Sequence, residues 1–476
     1  MLTLNKFYID GAWVDPASDA TMPIMNPATA TQIGTVSMGN SEDVDRAVAA
    51  AKRAFETFSM TPKAERLALL ENLRVATIAR LDDLAAAMTS EMGAPATMSL
   101  ESQAHSGLGH LDDFIAALKS MEDEETLPNG DIISREPIGV CGLITPWNWP
   151  INQIALKVVP ALATGATCVL KPSEHTPISA QIYAEIVEAA GYPAGVFNLV
   201  QGDGISVGSA MSRHPDIAMM SFTGSTRAGT AVSKDAADGV KRVTLELGGK
   251  SPNLVFADAD LGKRIAESVE GCFYNTGQSC NAPTRLLVER SCYDEVLELA
   301  KAAGEAQKVG DPAQQGDHIG PVFDKIQYDR VQAMIKIGID EGARVLVGGL
   351  GKPEGLEAGW FVKPTIFCDV DHDMRISREE IFGPVLVITP FDTEDDAITM
   401  ANDTDYGLAA YIQSGDEARV SRVVRRLRAG TIQINGRGPD YGSPFGGYKQ
   451  SGNGREGGVF GLDDYLETKV RPPFTA

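Results

Sequence analysis

A chain of 476 residues is too long for one small core and suggests two to four domains, and 43% hydrophobic with 22% charged residues is the balance of a soluble globular enzyme. Lys and Arg number 42 against 64 Asp and Glu, so the net charge of −22 repels phosphate backbones and anionic lipid surfaces; nucleic acid and membrane are excluded as expected partners. Six cysteines without a CxxC pair, six histidines without HExxH or finger spacing, no leader pattern and no run of 18 apolar residues lead us to expect a cytoplasmic protein with reduced thiols and no metal.

In chain order, SEDVDRAVAAAKRAFETF (41–58) predicts a helix with Ser41 as its cap and Val44, Val48 and Ala51 on one face, and TPKAERLALLENLRVATIARLDDLAAAM repeats the pattern after Pro62. The polar stretch 120–137 contains the turn signal Asn129-Gly130 and reads as an inserted arm. From residue 139 short apolar runs alternate with amphipathic stretches. Strands are predicted at 139–146, 167–172, 196–202, 217–224 and 253–258, a βαβ texture that implies a parallel sheet. A second series, with strands at 285–290, 343–349 and 385–391, implies a second α/β domain. There is neither a fixed-period repeat nor a low-complexity linker.

Two phosphate-loop matches fail. The glycines 202, 204 and 208 of GDGISVG do not have GxGxxG spacing, and LGGKS (247–251) lacks the first P-loop glycine because Thr244 stands there. The segment FYNTGQSCNAPTRLLV is more informative: it sets Cys280 between turn-forming polar residues and a predicted strand, where a thiol can be reached, whereas Cys141 and Cys168 lie in apolar runs. A lone cysteine is more often an inert packed thiol, so Cys280 needs partners.

Those partners emerge from PWNWP (146–150), LKPSE (170–174), FTGST (222–226), LELGGKSP (245–252), EEIFGPV (379–385) and SPFGGYKQSGNGRE (443–456). With these blocks in this order the chain resembles the aldehyde dehydrogenase superfamily, in its hydrolytic NAD(P)-dependent branch, from about Phe7 to Lys469. The resemblance implies an α/β fold: a modified Rossmann-type doubly wound parallel sheet, a second α/β catalytic domain and a small β oligomerisation arm. The implied domains are 1–119 with 138–248 for NAD, 249–450 for catalysis, and 120–137 with 456–476 for the arm. The terminal run LDDYLETKVRPPF is similar to the family's last strand, which pairs with a neighbouring subunit beside the arm, so a homodimer or homotetramer is expected.

The resemblance also implies roles. Cys280 is the nucleophile, Asn148 and the Cys280 backbone N–H donate to the developing oxyanion, and Glu246 activates the water that releases the acid. Lys171 and Glu174 hold the adenosine ribose, where a carboxylate disfavours a 2′-phosphate and so favours NAD over NADP. Gly224 and Ser225 open a helix toward the pyrophosphate, with Trp147 along the same path, and Glu380 and Phe382 hold the nicotinamide riboside. Trp149, Gln153, Leu156, Ser279, Asn281, Phe445 and the loop 436–441 set substrate choice. Trp149 and Phe445 suit an aliphatic or aromatic aldehyde, while Arg437 offers a partner to a semialdehyde carboxylate. Two alternatives are a CoA-acylating relative, which has no need of Glu246, and a non-catalytic protein on the same scaffold, which has no need to keep Cys280, Asn148 and Glu246 together.

Overall fold

The computed structural model describes residues 1–475. Its centre is an eight-stranded sheet. Five parallel strands lie in the spatial order Arg242–Glu246, Met219–Thr223, Val140–Ile144, Thr167–Lys171, Phe197–Leu199. The first three strands in the chain run outward one way and the next two the other way. The direction reverses between Val140–Ile144 and Met219–Thr223, and a crevice opens there beyond the strands' carboxyl ends. These strands read as continuous apolar runs because helices cover both faces: Cys141 and Leu143 pack into one core, Val140 and Ile144 into the other. Antiparallel strands at Phe7–Ile9 and Gly452–Asn453 extend this sheet.

A seven-stranded sheet holds Pro252–Val255, Arg285–Glu289, Thr365–Cys368, Val385–Phe391, Ala409–Gln413 and Thr431–Ile434, all parallel, with Arg344–Val347 antiparallel on one edge. The predicted strand at 253–258, which followed the first series in sequence, pairs here with Arg285–Glu289. Periodicity alone cannot say which sheet receives a buried strand.

Helices form at Ser41–Phe58, Lys63–Ile78 and Leu81–Glu91. The cap of the first is Asn40, not Ser41: its side chain accepts from the N–H groups of Glu42 and Asp43 while Asp43 bonds back to the Asn40 N–H. That reciprocal box makes Ser41 the first helical residue. The arm is a hairpin of Glu124–Thr126 and Ile132–Pro137, and Leu466–Arg471 pairs antiparallel with Ile132–Pro137 of its own chain.

Candidate active site

Four segments converge on the crevice. Pro146, Trp147 and Asn148 continue from Val140–Ile144, and Thr223, Gly224 and Ser225 from Met219–Thr223; Glu246 ends the outermost of the five parallel strands, and Cys280 sits in a turn ahead of Arg285–Glu289. All line one cavity of about 250 Å³ together with Trp149, Gln153, Glu380 and Phe382. Lys171 and Glu174 do not line it; they stand at the carboxyl end of the neighbouring strand Thr167–Lys171. Phe445 lines a second cavity, a tunnel of about 530 Å³, which shares Trp149, Gln153 and Cys280 with the first. Leu156, Asn281 and Tyr441 also line that tunnel, whereas Arg437 is 85% exposed and faces Asp440 at 3.7 Å.

The cysteine loop is held in an unfavourable shape. Asn275 and Thr276 both take left-handed backbone angles (φ 51° and 58°), at a cost of about 1–2 kcal/mol each. Hydrogen bonds compensate: Asn275 Nδ2 donates to the Asn148 carbonyl at 2.9 Å, Thr276 Oγ1 to the Gly320 carbonyl at 3.1 Å, and Gln278 Oε1 accepts from the Phe323 N–H at 3.0 Å. Asn148 Nδ2 donates to the Gln278 carbonyl at 3.0 Å, which aims the amide at the loop and leaves its second N–H available. Gly277 (φ +70°) is required, since a Cβ would lie 2.1 Å from the Gly383 carbonyl oxygen.

Burial, then the charges of Glu380 and Glu246, push the Cys280 thiol up, although the N–H groups of Cys280 and Asn281 favour the thiolate. The thiol is therefore protonated before it attacks. Glu246 is buried, neither carboxyl oxygen has a hydrogen-bond partner among the described residues, and burial with the nearby Glu456 charge holds it well above the ordinary carboxylate range. Behind it Lys157, fully buried, pairs with Glu456 and donates to Ser221 Oγ at 3.1 Å.

The walls fit a dinucleotide. Ser225, which lines the cavity, caps Thr226–Ala237, and Thr223 Oγ1 is buried without a partner among the described residues. Glu380, pushed up to about 7 by burial, accepts from the Gly249 N–H at 3.0 Å, and a Cβ at Gly248 would lie 2.3 Å from its Oε2. Lys171 Nζ donates to the Gly202 and Pro172 carbonyls and to Glu174 Oε2 at 3.2 Å. Burial raises the Glu174 carboxyl, but the Lys171 charge, the backbone hydrogen bond, His175 and the hydrogen bond from Lys171 together outweigh it and hold the group below its usual value, anionic at neutral pH. Sequence reasoning missed Phe323, which stacks on Trp147 at 3.7 Å, along with Gln327 and Arg330 on the same wall. They lie in a run without a motif, PVFDKIQYDR, and arrive by folding alone. The Lys157–Glu456 pair was missed for the same reason, its members being 299 positions apart.

A family model described as aldehyde dehydrogenase family matches residues 13–471. A 3-succinoylsemialdehyde-pyridine dehydrogenase from a Pseudomonas species is 51% identical, over 99% of this chain and 98% of that one. Among solved structures, an aldehyde dehydrogenase from Bartonella henselae superposes with a TM-score of 0.98 at 50% identity, covering 99% of each chain. A cysteine-to-alanine mutant of aldehyde dehydrogenase C from Pseudomonas syringae, complexed with NAD+ and octanal, gives 0.96 at 48% identity, covering 98% of this chain and 96% of that one.

Proposed function

This chain belongs to the aldehyde dehydrogenase family, and from that premise we propose how its own residues carry an NAD-dependent oxidation of an aldehyde to a carboxylic acid. The carrying observation is that Cys280, Asn148 and Glu246 meet in one cavity at the crevice. The Cys280 thiol loses its proton to solvent, and the sulfur attacks the carbonyl carbon to form a C–S bond. The Asn148 amide and the Cys280 backbone N–H donate to the resulting oxyanion. NAD+, when bound, supplies the acceptor for the hydride that leaves this carbon, and a thioester on Cys280 remains. Glu246 then takes a proton from an attacking water, and the C–S bond breaks to release the acid and restore the thiol.

For the cofactor, Gly224 and Ser225 face the pyrophosphate with Trp147 beside it, Glu380 and Phe382 hold the nicotinamide riboside, and Lys171 with the anionic Glu174 takes the adenosine ribose hydroxyls and disfavours NADP. Trp149, Gln153 and Phe445 shape the substrate end. We assign residues 1–119 and 138–248 to NAD binding, 249–450 to catalysis, and 120–137 with 456–476 to an oligomerisation arm. The helix Gly458–Asp463 buries Leu462 in the core of the first unit, so the arm's own share of the tail is the strand Leu466–Arg471. No helix among the described residues is long and apolar enough to cross a membrane, and the six free thiols suit the reducing cytoplasm.

The test is an aldehyde panel with NAD+ or NADP+, read as absorbance of the reduced nicotinamide, with and without CoA. Cys280→Ala is expected to abolish turnover while NAD+ still binds, as judged by fluorescence quenching. Substantial residual turnover removes Cys280 from the chemistry, and turnover that requires CoA favours acyl transfer over hydrolysis.

A further inference from the structure

Resting on the reaction just proposed, a side-chain relay in the tunnel wall narrows the substrate. Gln153 is buried, stands where the two cavities meet, and its Nε2 donates to Asn152 Oδ1 at 3.1 Å. Asn152 Nδ2 in turn lies 2.9 Å from His110 Nε2. With Asn152 Oδ1 accepting from Gln153, its amide nitrogen donates to His110 Nε2, which leaves the ring proton on Nδ1, buried and without a partner among the described residues. Burial keeps that ring neutral by lowering it to about 4, and the Tyr441 ring meets it edge-on at 4.9 Å. Tyr441 itself is seated on Gly109, where a Cβ would lie 2.7 Å from the phenol ring. The relay therefore fixes which end of the Gln153 amide is committed to the wall. Its Oε1 is buried and has no partner among the described residues.

The tunnel lining adds a charge rule. It includes Glu101 and Asp440, and among the described residues no Lys or Arg. Arg437, the cation that sequence reasoning offered to a carboxylate substrate, is turned to solvent.

We propose that Gln153 is the specificity-determining residue, with Asn152 and His110 as positioning residues, and that its Oε1 accepts a hydrogen bond from aldehydes that carry a hydroxyl or N–H donor and no negative charge. A buried acceptor left unpaired penalises an alkyl analogue, and one hydrogen bond of this kind corresponds to a preference of about tenfold.

The experiment compares kcat/KM of the full-length enzyme for 2-hydroxypropanal and 3-hydroxypropanal with the isosteric 2-methylpropanal and butanal, and for 4-oxobutanoate. At least one hydroxylated member is expected to exceed its alkyl twin about tenfold, with 4-oxobutanoate below both. Gln153→Met should bring that ratio to near one. His110→Phe should lower it through KM, and His110→Gln, whose amide oxygen reaches the place of Nε2, should restore it; a purely structural role would give no such rescue. Equal rates for the twins in the wild type, a ratio untouched by Gln153→Met, or 4-oxobutanoate as the best substrate overturns the inference and leaves the dehydrogenase reading standing. No reduced nicotinamide from any of the five overturns both.

Discussion

Glu246 reaches its work through what surrounds it rather than through any contact it makes. With no partner for either oxygen among the described residues, and with burial and Glu456 opposing its charge, it is protonated at low pH, and base strength appears as pH rises through its elevated value. Thioester hydrolysis should therefore climb with pH, and the climb should vanish in Glu246→Gln. In stopped flow that variant is expected to release about one equivalent of NADH per site and then turn over roughly 10²- to 10⁴-fold more slowly, the range of a lost general base. A variant with neither burst nor turnover places Glu246 ahead of hydride transfer, in taking the Cys280 proton. At Glu174 the Lys171 charge, together with the hydrogen bonds it and the backbone donate, keeps the carboxylate ionised against burial. Glu174→Ser removes its repulsion of a 2′-phosphate and should raise the NADP-to-NAD ratio of kcat/KM by about tenfold, a change near 1.4 kcal/mol. An unchanged ratio would mean that the ribose lies elsewhere.

The element that matters most is the loop 274–284, because it holds strain and chemistry together. Asn275, Thr276 and Gly277 are left-handed in succession, and the Asn275 and Asn148 amides then tie the loop to the Asn148 and Gln278 carbonyls just ahead of Cys280. Gly277→Ala would add a Cβ in left-handed backbone and press it against the carbonyl of Gly383, which cannot swing aside as a side chain would. We expect a loss of more than about 2 kcal/mol, seen as a lower Tm, since backbone strain and a clash add. Gly248→Ala offers the contrast. There the nearest atom is the tip of Glu380, so the side chain can move: Tm should hold while KM for NAD+ rises as the bond to the Gly249 N–H is lost.

Across the whole molecule, the two large sheets carry the crevice, and a three-stranded sheet built from the arm and the terminal strand faces outward. The strand Leu466–Arg471 is paired along one edge, its other edge carries no strand among the described residues, and Val470 and Phe474 are 63% and 90% exposed. An open strand edge with apolar side chains invites a second chain. Val470→Asp is expected to lower the molar mass in light scattering without changing the fold by circular dichroism, and an unchanged mass would move the assembly interface away from this edge.

Much of this protein could be read along the chain. The parallel strands announced themselves because a strand covered on both faces is apolar throughout, and the hairpin at Asn129-Gly130 because its turn chemistry is local. Cys280, Asn148 and Glu246 were legible as members of ordered motifs, and Gly224 with Ser225 as a strand-to-helix junction. Other features depend on distance in space and have no signature in one dimension. Burial and Glu456, 210 positions away, set the behaviour of Glu246, and Phe323 reaches Trp147 from a run with no motif. Asn40 displaced Ser41 because capping turns on which side chain can reach back from position three, and Arg437 left the tunnel for solvent because composition does not say where a loop points its cation. Periodicity and turn chemistry act between neighbours and so are written in the sequence; electrostatics and wall composition act between surfaces, which exist only once the chain has folded.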